Sequence, residues 1–316
     1  FTFQLLHPGA KMREKQMSHF SVMVIGSDPE SQLAPYHEFE CTGIDDEYVQ
    51  DVDITEDVRQ EYERADKEEY STIRKYCEEY RGLNCLSSMD NFVEEHKYGY
   101  FLLKPDGELD KAISRTNPNA KWDWYSLGGR WTGYFKLKSG RLGEVGEPGL
   151  MTEQAQVGYA DAALKKDIDF DGMRHEVIDK AAKKYDTIKA ILDEYPGSKT
   201  FEQCKQMCNG NIDGARAAYN NQPVMKALED AGYRFWLDDI LEECNLSRDE
   251  YLKRAGNSAI TSYAFVKDGE WVGSGDMGWW GISTNNKDEN AWNEEFNKML
   301  DSLPDDTMLS LYDCHI

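Results

Sequence analysis

The sequence lacks any apolar run close to the roughly 20 residues that a membrane-spanning helix requires, and this argues against an integral membrane protein. Basic residues are also scarce: 36 Lys and Arg face 59 Asp and Glu, so the net charge is -23. Because phosphate contacts need Lys and Arg, nucleic acid is an unfavourable partner. With 40% apolar residues among 316, the chain still has enough material for a substantial core.

The motifs that identify common enzyme classes are absent. We find no Walker loop, no GxGxxG after a strand, no GxSxG, no HExxH and no zinc-deaminase pair. The seven cysteines form no CxxC pair and no regular disulfide framework. This pattern is typical of reduced thiols, and we therefore expect a cytoplasmic protein.

The first residues differ from the rest of the chain. Residues 1–16 contain no apolar segment of the kind found in secretory signals, and they begin without Met. We predict that the folded protein starts at Met17, with residues 1–16 as a leader or an added extension outside the fold. Residues 17–316 are then predicted to form a single α+β domain.

Runs rich in β-branched and aromatic residues predict the strands. Residues 19–25 (HFSVMVI) precede a turn sequence, and two further pairs of runs flank Pro105-Asp106-Gly107 and Asp268-Gly269, which favour β-hairpins. Residues 140–158, rich in glycine, predict a long loop or a domain boundary. The predicted strands are 19–25, 98–103, 109–115, 130–138, 260–267, 270–273 and 307–314.

Helical spacing of apolar residues, with capping residues at several ends, predicts the helices. They are 55–81, 170–195, 200–208, 212–231 with a break at Pro223, 247–255 and 288–303. Most fall in one helical block, at about 165–256, inserted among strands. This order indicates an α+β fold with a mainly antiparallel sheet formed from the N- and C-terminal parts. We expect the first and last strands to lie in that sheet.

Charge is unevenly distributed. Residues 38–80 contain sixteen acids and five bases, whereas residues 97–141 contain nine bases and four acids. A basic, aromatic sheet in an acidic protein favours a phosphate-bearing or other anionic small molecule as ligand. The alternative is that these bases neutralise the acidic segment within the fold.

The segment 37–41 (HEFEC) is dense in potential ligands. In an extended segment Glu38 and Glu40 share a face, where two carboxylates can hold Mg²⁺ or Mn²⁺ or share a proton. We therefore consider Glu38 and Glu40 candidate catalytic residues and His37 a candidate metal ligand. A polar segment without a site is the alternative.

A second candidate site combines His19 with the closing residues Asp313, Cys314 and His315. If the last strand runs antiparallel beside the first, His19 and His315 approach each other. Two imidazoles and a carboxylate suit a transition metal such as Zn²⁺ or Mn²⁺, so His19 and His315 are candidate metal ligands and Asp313 a candidate catalytic residue. The alternative is a pair of hydrogen-bonded or solvated histidines.

A third candidate is residues 117–131 (NPNAKWDWYSLGGRW). Here Trp122 and Trp124 are predicted to share a strand face, Gly128-Gly129 permits close backbone approach, and Arg130 offers a planar donor for carboxylate or phosphate. These features are typical of a pocket for an anionic, aromatic molecule. An aromatic core with Arg130 paired to an acid from 38–80 is the alternative. A glycine-flanked loop, GDMGWWG, is predicted to face the same place and adds Asp276, Trp279 and Trp280.

Several motifs together resemble a family of bacteriophage and actinobacterial proteins that has no established activity. They are HEFECTG, NPNAKWDWY, GGRW, DIDFDGMR, MGWWG and LPDDT followed by DCHI, and the resemblance spans nearly all of 17–316. It implies an intracellular protein, encoded by a phage or prophage. No catalytic role follows from it.

Two functions are compatible with these patterns. One is binding, with possible metal-assisted hydrolysis, of a nucleotide or another phosphorylated small molecule, and it requires the candidate residues to converge. The other is a non-enzymatic acidic protein that binds a host or defence protein through residues 38–80. It requires a continuous acidic face and no site.

Overall fold

The computed structural model describes residues 19–38, 46–86, 96–150, 152–233, 240–243, 245–277 and 283–316. These form an α+β fold, as the sequence predicts. The strands are β1 (His19–Ile25), β2 (Gln50–Asp53), β3 (Asn84–Cys85), β4 (Gly99–Leu103), β5 (Leu109–Thr116), β6 (Trp124–Leu127), β7 (Phe135–Lys136), β8 (Tyr159–Ala160), β9 (Ala162–Leu164), β10 (Ala264–Lys267), β11 (Glu270–Gly273), β12 (Asp276–Met277), β13 (Ser283–Thr284) and β14 (Met308–His315).

The helices follow the predicted distribution, with most of them in the middle of the chain. They are α1 (Pro29–Leu33), α2 (Thr55–Arg64), α3 (Ile73–Lys75), α4 (Phe170–Glu194), α5 (Phe201–Met207), α6 (Ile212–Asn220), α7 (Pro223–Asp230), α8 (Ile240–Glu243), α9 (Arg248–Ser258) and α10 (Glu289–Ser302). Within the described ranges, no helix has the length and apolar content needed to cross a membrane.

The main sheet has the strand order β11-β10-β1-β14-β6, and β9 also pairs with β14. β1 and β14 run antiparallel with His19 opposite His315, which confirms that the first and last strands are neighbours. β10 lies parallel to β1 and forms a hairpin with β11. Asp268 and Gly269 both have positive φ in that hairpin turn, as a two-residue loop of this kind requires.

The two faces of the main sheet bury different sets of side chains, because successive residues of a strand alternate between faces. One face packs against Trp292, Phe296 and Leu300 of α10. The side chains of the sheet on this face are Met23, Ile25, Phe265, Leu309 and Leu311. The other buries Phe20, Val22, Val24, Tyr312 and Cys314. Following the first face along β1 and β14 away from α10, the apolar residues give way to Ser21, His19, Asp313 and His315.

A second sheet has the order β2-β5-β4-β3 and contains the predicted hairpin of β4 and β5. The predicted single helix 55–81 is wrong, because α2 ends at Arg64 and Ala65 is extended. Asp66 accepts a hydrogen bond from the N–H of Glu68, a local turn that competes with helix. Helix resumes only after Thr72, which caps α3, and a π-helical turn follows at Tyr76–Tyr80.

The predicted strand 130–138 is also mostly wrong, since only Phe135–Lys136 forms β7, paired with β8. The basic, aromatic segment 97–141 therefore does not form one sheet: β4 and β5 belong to the second sheet and β6 to the main one. Residues 140–150 and 152–158 form the predicted loop up to β8.

The helices α4 to α9 follow one another from 170 to 258. The break at Pro223 occurs as predicted, with Pro223 at the first position of α7. Ser247 caps α9 by accepting from the N–H of Glu250, and Thr200 forms a capping box with Gln203. The core that these helices share includes Tyr185, Ile188, Cys204, Ala215, Tyr219, Val224 and Leu228.

Candidate functional site

At the polar end of the main sheet, His19 pairs with Asp313. The Nδ1 of His19 lies 2.7 Å from Oδ1 of Asp313, whose side chain is 1% exposed. The other oxygen, Oδ2, accepts a hydrogen bond of 2.9 Å from the backbone N–H of Arg130. A buried carboxylate costs several kcal/mol unless it is paired, and here both oxygens have partners.

His315 forms a second pair of the same kind. Its Nδ1 lies 2.5 Å from Oδ1 of Asp123, and the backbone N–H of Asp123 donates to the carbonyl of His315. Sequence analysis did not select Asp123, although it lies between the two tryptophans of KWDWY. The signal available was a carboxylate directly before the strand that pairs with the closing residues.

The two imidazoles meet under an indole. The rings of His19 and His315 are 5.0 Å apart and edge-to-face, and Trp124 stacks on His315 at 4.9 Å. Trp124 is 44% exposed, so one face of this cluster opens to solvent. Neither imidazole Nε2 has a hydrogen-bond partner among the described residues. Neither of these two atoms is completely shielded from solvent. The structure therefore confirms that His19 and His315 approach each other.

Gly128 and Gly129 explain how the chain fits against these carboxylates. Both have positive φ, and a Cβ on Gly129 would lie closer than 3.0 Å to Asp313. A Cβ on Gly128 would overlap Asp161 in the same way. The glycine pair is thus required by two buried carboxylates rather than by space for a ligand.

Asp161 holds the neighbouring loops in place. It is fully buried, and its Oδ1 accepts from the N–H groups of Gly133 and Tyr134, at 2.6 and 3.2 Å. Its Oδ2 accepts from the N–H of Gly146 at 2.9 Å. Sequence analysis missed Asp161 because no local pattern in YADAAL indicates a partner.

Arg130 directs its side chain away from this network. The residue is exposed, and its guanidinium forms no ion pair within the described ranges. The predicted alternative, in which Arg130 is paired with an acid from 38–80, is therefore not found there. Its backbone N–H is fixed on Asp313, so the main chain of Arg130 lies beside the histidine cluster.

His37 and Glu38 lie at the edge of the same region. The Nε2 of His37 is 2.9 Å from the carbonyl oxygen of Asp123, and its ring stacks on Trp122 at 4.4 Å. Partial burial of the carboxyl group and then the charge of Asp123 raise the pKa of Glu38, while His37 opposes this shift. Glu40 lies outside the described residues, so the predicted Glu38–Glu40 face is untested.

Trp122 does not share a face with Trp124, which corrects that prediction. Trp122 packs on Tyr125 at 4.8 Å within the core on the other side of the sheet. The reason is that β6 begins only at Trp124, so strand alternation does not extend back to 122. Its Nε1 is buried and has no hydrogen-bond partner among the residues that the structure describes.

Asp276 is separate from the histidine cluster. It lies in the β12–β13 hairpin, where it accepts a hydrogen bond of 2.8 Å from Asn285. This hairpin follows β11, at the opposite edge of the main sheet from β6. Trp279 and Trp280, predicted to face the same place, lie outside the described residues.

No group of three or more His, Cys, Asp and Glu side chains in the described part of the chain is arranged to hold a metal ion. The pairing at Nδ1 explains this, because each imidazole is turned toward its own carboxylate. The metal role of His19, His37 and His315 stays a prediction, since Glu40 and Cys41 are not described.

The basic segment is partly neutralised by the acidic one. Arg115 forms ion pairs with Asp46 and Asp51. Hydrogen bonds from Thr55 lower the pKa of Asp53, and the charges of Lys111 and Arg59 add to this shift. Intramolecular charge complementarity thus accounts for part of the predicted anion-binding character.

Comparison with protein-family models, curated proteins and solved structures found no match for this chain. Membership of the phage and actinobacterial family stays a prediction. The chemistry of the site must therefore be inferred from its geometry. Two imidazoles whose Nε2 atoms have no partner in the described ranges, each oriented by a carboxylate, can exchange protons with a bound molecule at neighbouring positions.

Proposed function

We propose that the protein binds a nucleotide or another phosphorylated small molecule and hydrolyses a phosphoester bond by general acid–base catalysis. The observation that carries this proposal is the contact between His19 and His315, each with its Nδ1 held by a carboxylate. A carboxylate that accepts from Nδ1–H leaves Nε2 of the neutral ring as a proton acceptor. A cationic ring in the same place is a proton donor.

The two histidines have complementary roles in this reaction. One Nε2 accepts a proton from water as the water oxygen bonds to phosphorus. The other Nε2 donates its proton to the leaving oxygen as the phosphorus–oxygen bond breaks. Asp313 and Asp123 orient the rings and stabilise the cationic forms, and they do not exchange protons with the substrate.

Substrate binding is assigned to Arg130 and Trp124. The guanidinium of Arg130 is free to bind phosphate oxygens in a bidentate manner. The exposed face of Trp124 is available for stacking by an aromatic base or ring. Access to the site is narrow, since the side chain of His19 is 11% exposed and that of His315 is 2% exposed. This and the overall net charge of -23 favour a small substrate over a polynucleotide.

The test is a hydrolysis screen with nucleoside mono-, di- and triphosphates and cyclic nucleotides, with product detection by chromatography. We expect His19→Gln and His315→Gln each to lower kcat by about 10²–10⁴. Arg130→Gln is expected mainly to raise KM, with Arg130→Lys giving partial recovery. Arg216→Gln, a change on exposed α6, is the matched control.

Each assay is run with EDTA and with Mg²⁺, Mn²⁺ or Zn²⁺. If activity depends on a metal and is retained in His19→Gln, the catalytic residues would instead be assigned to the segment that contains Glu40. Absence of both turnover and ligand-induced thermal shift under all conditions would refute the proposal.

A second candidate function is docking of a host protein on the acidic stretch. Ion pairs in this stretch are largely internal, such as Arg74–Glu78 and Lys75–Glu79, and leave an excess of exposed acids. Tyr80 is 48% exposed among them, and tyrosine is common at interfaces. If this function holds, Glu68→Lys with Glu69→Lys abolishes binding to that protein, whereas His19→Gln leaves it unchanged.

A further inference from the structure

A second cleft lies away from the histidines, where α4, α9 and α10 meet. Its volume is about 370 Å³, within the range of small-ligand sites. Below it the helices are joined by Asn297, which donates to the carbonyls of Asn257 and Asn293. Its walls include the polar and charged side chains of Lys184, Tyr251, Arg254, Glu289, Asn290 and Asn293.

The feature that points to a ligand is Asn293. This residue is 4% exposed, yet its side-chain amide has no hydrogen-bond partner in the described part of the chain. The two amide atoms themselves are not sealed from solvent, so the amide is open to the cleft. The amide lines the cleft, so a molecule there can supply the missing hydrogen bonds.

The charges around the cleft are of both signs. Arg254 uses its Nε to bind Glu250 at 3.0 Å, which leaves its two Nη groups available. Lys184 on α4 and the N-terminal end of α10 add positive potential. Glu289, in the first turn of α10, is exposed and forms no ion pair with described residues. A ligand that fits has a carboxylate and an ammonium group.

We propose that this cleft binds a free α-amino acid. Arg254 binds its carboxylate, Glu289 binds its ammonium group, and the amide of Asn293 hydrogen-bonds to the polar atoms between them. The site shares no residue with the histidine cluster, so this inference is independent of the proposed hydrolysis.

The test is a thermal-shift screen of the full chain with each common free L-amino acid, followed by titration calorimetry. We expect at least one amino acid to bind, and Arg254→Gln and Asn293→Leu each to raise its Kd about tenfold or more. Glu289→Gln is expected to weaken binding of the amino acid but not binding of the analogue that lacks the amine. His19→Gln and Arg216→Gln are controls that retain binding.

Arg254 is partly exposed on α9, so Arg254→Gln tests the site even if Asn293→Leu does not fold. The proposal fails if no amino acid shifts the melting temperature, or if both variants bind as well as the unmodified chain. Equal affinity for propionate or inorganic phosphate would also overturn it, since the cleft would then recognise an anion only.

Discussion

Gly129→Ala tests the packing of the histidine site most directly. Gly129 has a φ of 53°, a conformation that costs alanine about 1–2 kcal/mol. The new Cβ would also lie closer than 3.0 Å to Asp313 and to Ser126 Oγ. Overpacking at a closed site costs about 1–3 kcal/mol more. We therefore expect a loss of about 2–5 kcal/mol in the free energy of unfolding.

The matched control is Gly140→Ala. Gly140 has a φ of 74°, but a Cβ there has no neighbour within 4 Å, so only the conformational cost applies. Urea unfolding of both variants, followed by tryptophan fluorescence, separates the two contributions. If Gly129→Ala is no less stable than Gly140→Ala, the close approach to Asp313 is not a constraint, and the reasoning about this turn is refuted.

Three further predictions concern buried polar groups and pH. Asp161→Asn places an amide N–H₂ among backbone donors and is expected to cost about 1–3 kcal/mol in urea unfolding, whereas Asp230→Asn on exposed α7 changes nothing measurable. Glu38→Gln is expected to stabilise the protein at neutral pH, because a raised pKa in the folded state means that ionisation of Glu38 opposes folding. This gain in unfolding free energy should disappear as the pH falls below 4.5, the ordinary pKa of the carboxyl group. A gain that persists at lower pH contradicts the assigned cause. Asn297→Leu removes hydrogen bonds to two carbonyls and to Arg174, so we expect a loss of about 1–3 kcal/mol; an unchanged urea midpoint would show that these bonds are replaced by water.

Four strands of the main sheet, β1, β10, β11 and β14, could be predicted from local patterns, whereas β6 and β9 could not. The run 19–25, the turn at Asp268-Gly269 and the stop at Pro304 are local signals, and each element forms close to its predicted bounds. The pairing of β1 with β14 follows from the α+β order and brings His19 and His315 together. Here the sequence pattern and the tertiary structure agree.

The failures have physical causes that lie outside any short window. The helix predicted over 55–81 breaks where the side chain of Asp66 bonds to nearby backbone. Trp122 and Trp124 lie on different faces because strand β6 begins at Trp124, later in the chain than the alternation of side chains suggests. Asp123 and Asp161 acquire their roles only through partners distant in the chain, so their burial could not be predicted from spacing.

The central pairing of the main sheet has a consequence for synthesis of the chain. His19 and Asp313 are separated by 294 positions, yet their strands are adjacent in the middle of the sheet. Translation proceeds from the N-terminus, so β1 must wait until Met308–His315 has been synthesised before its antiparallel neighbour exists. Contacts of such separation slow folding. Until β14 is in place, the backbone N–H and C=O groups on that edge of β1 are unpaired and prone to pairing between chains.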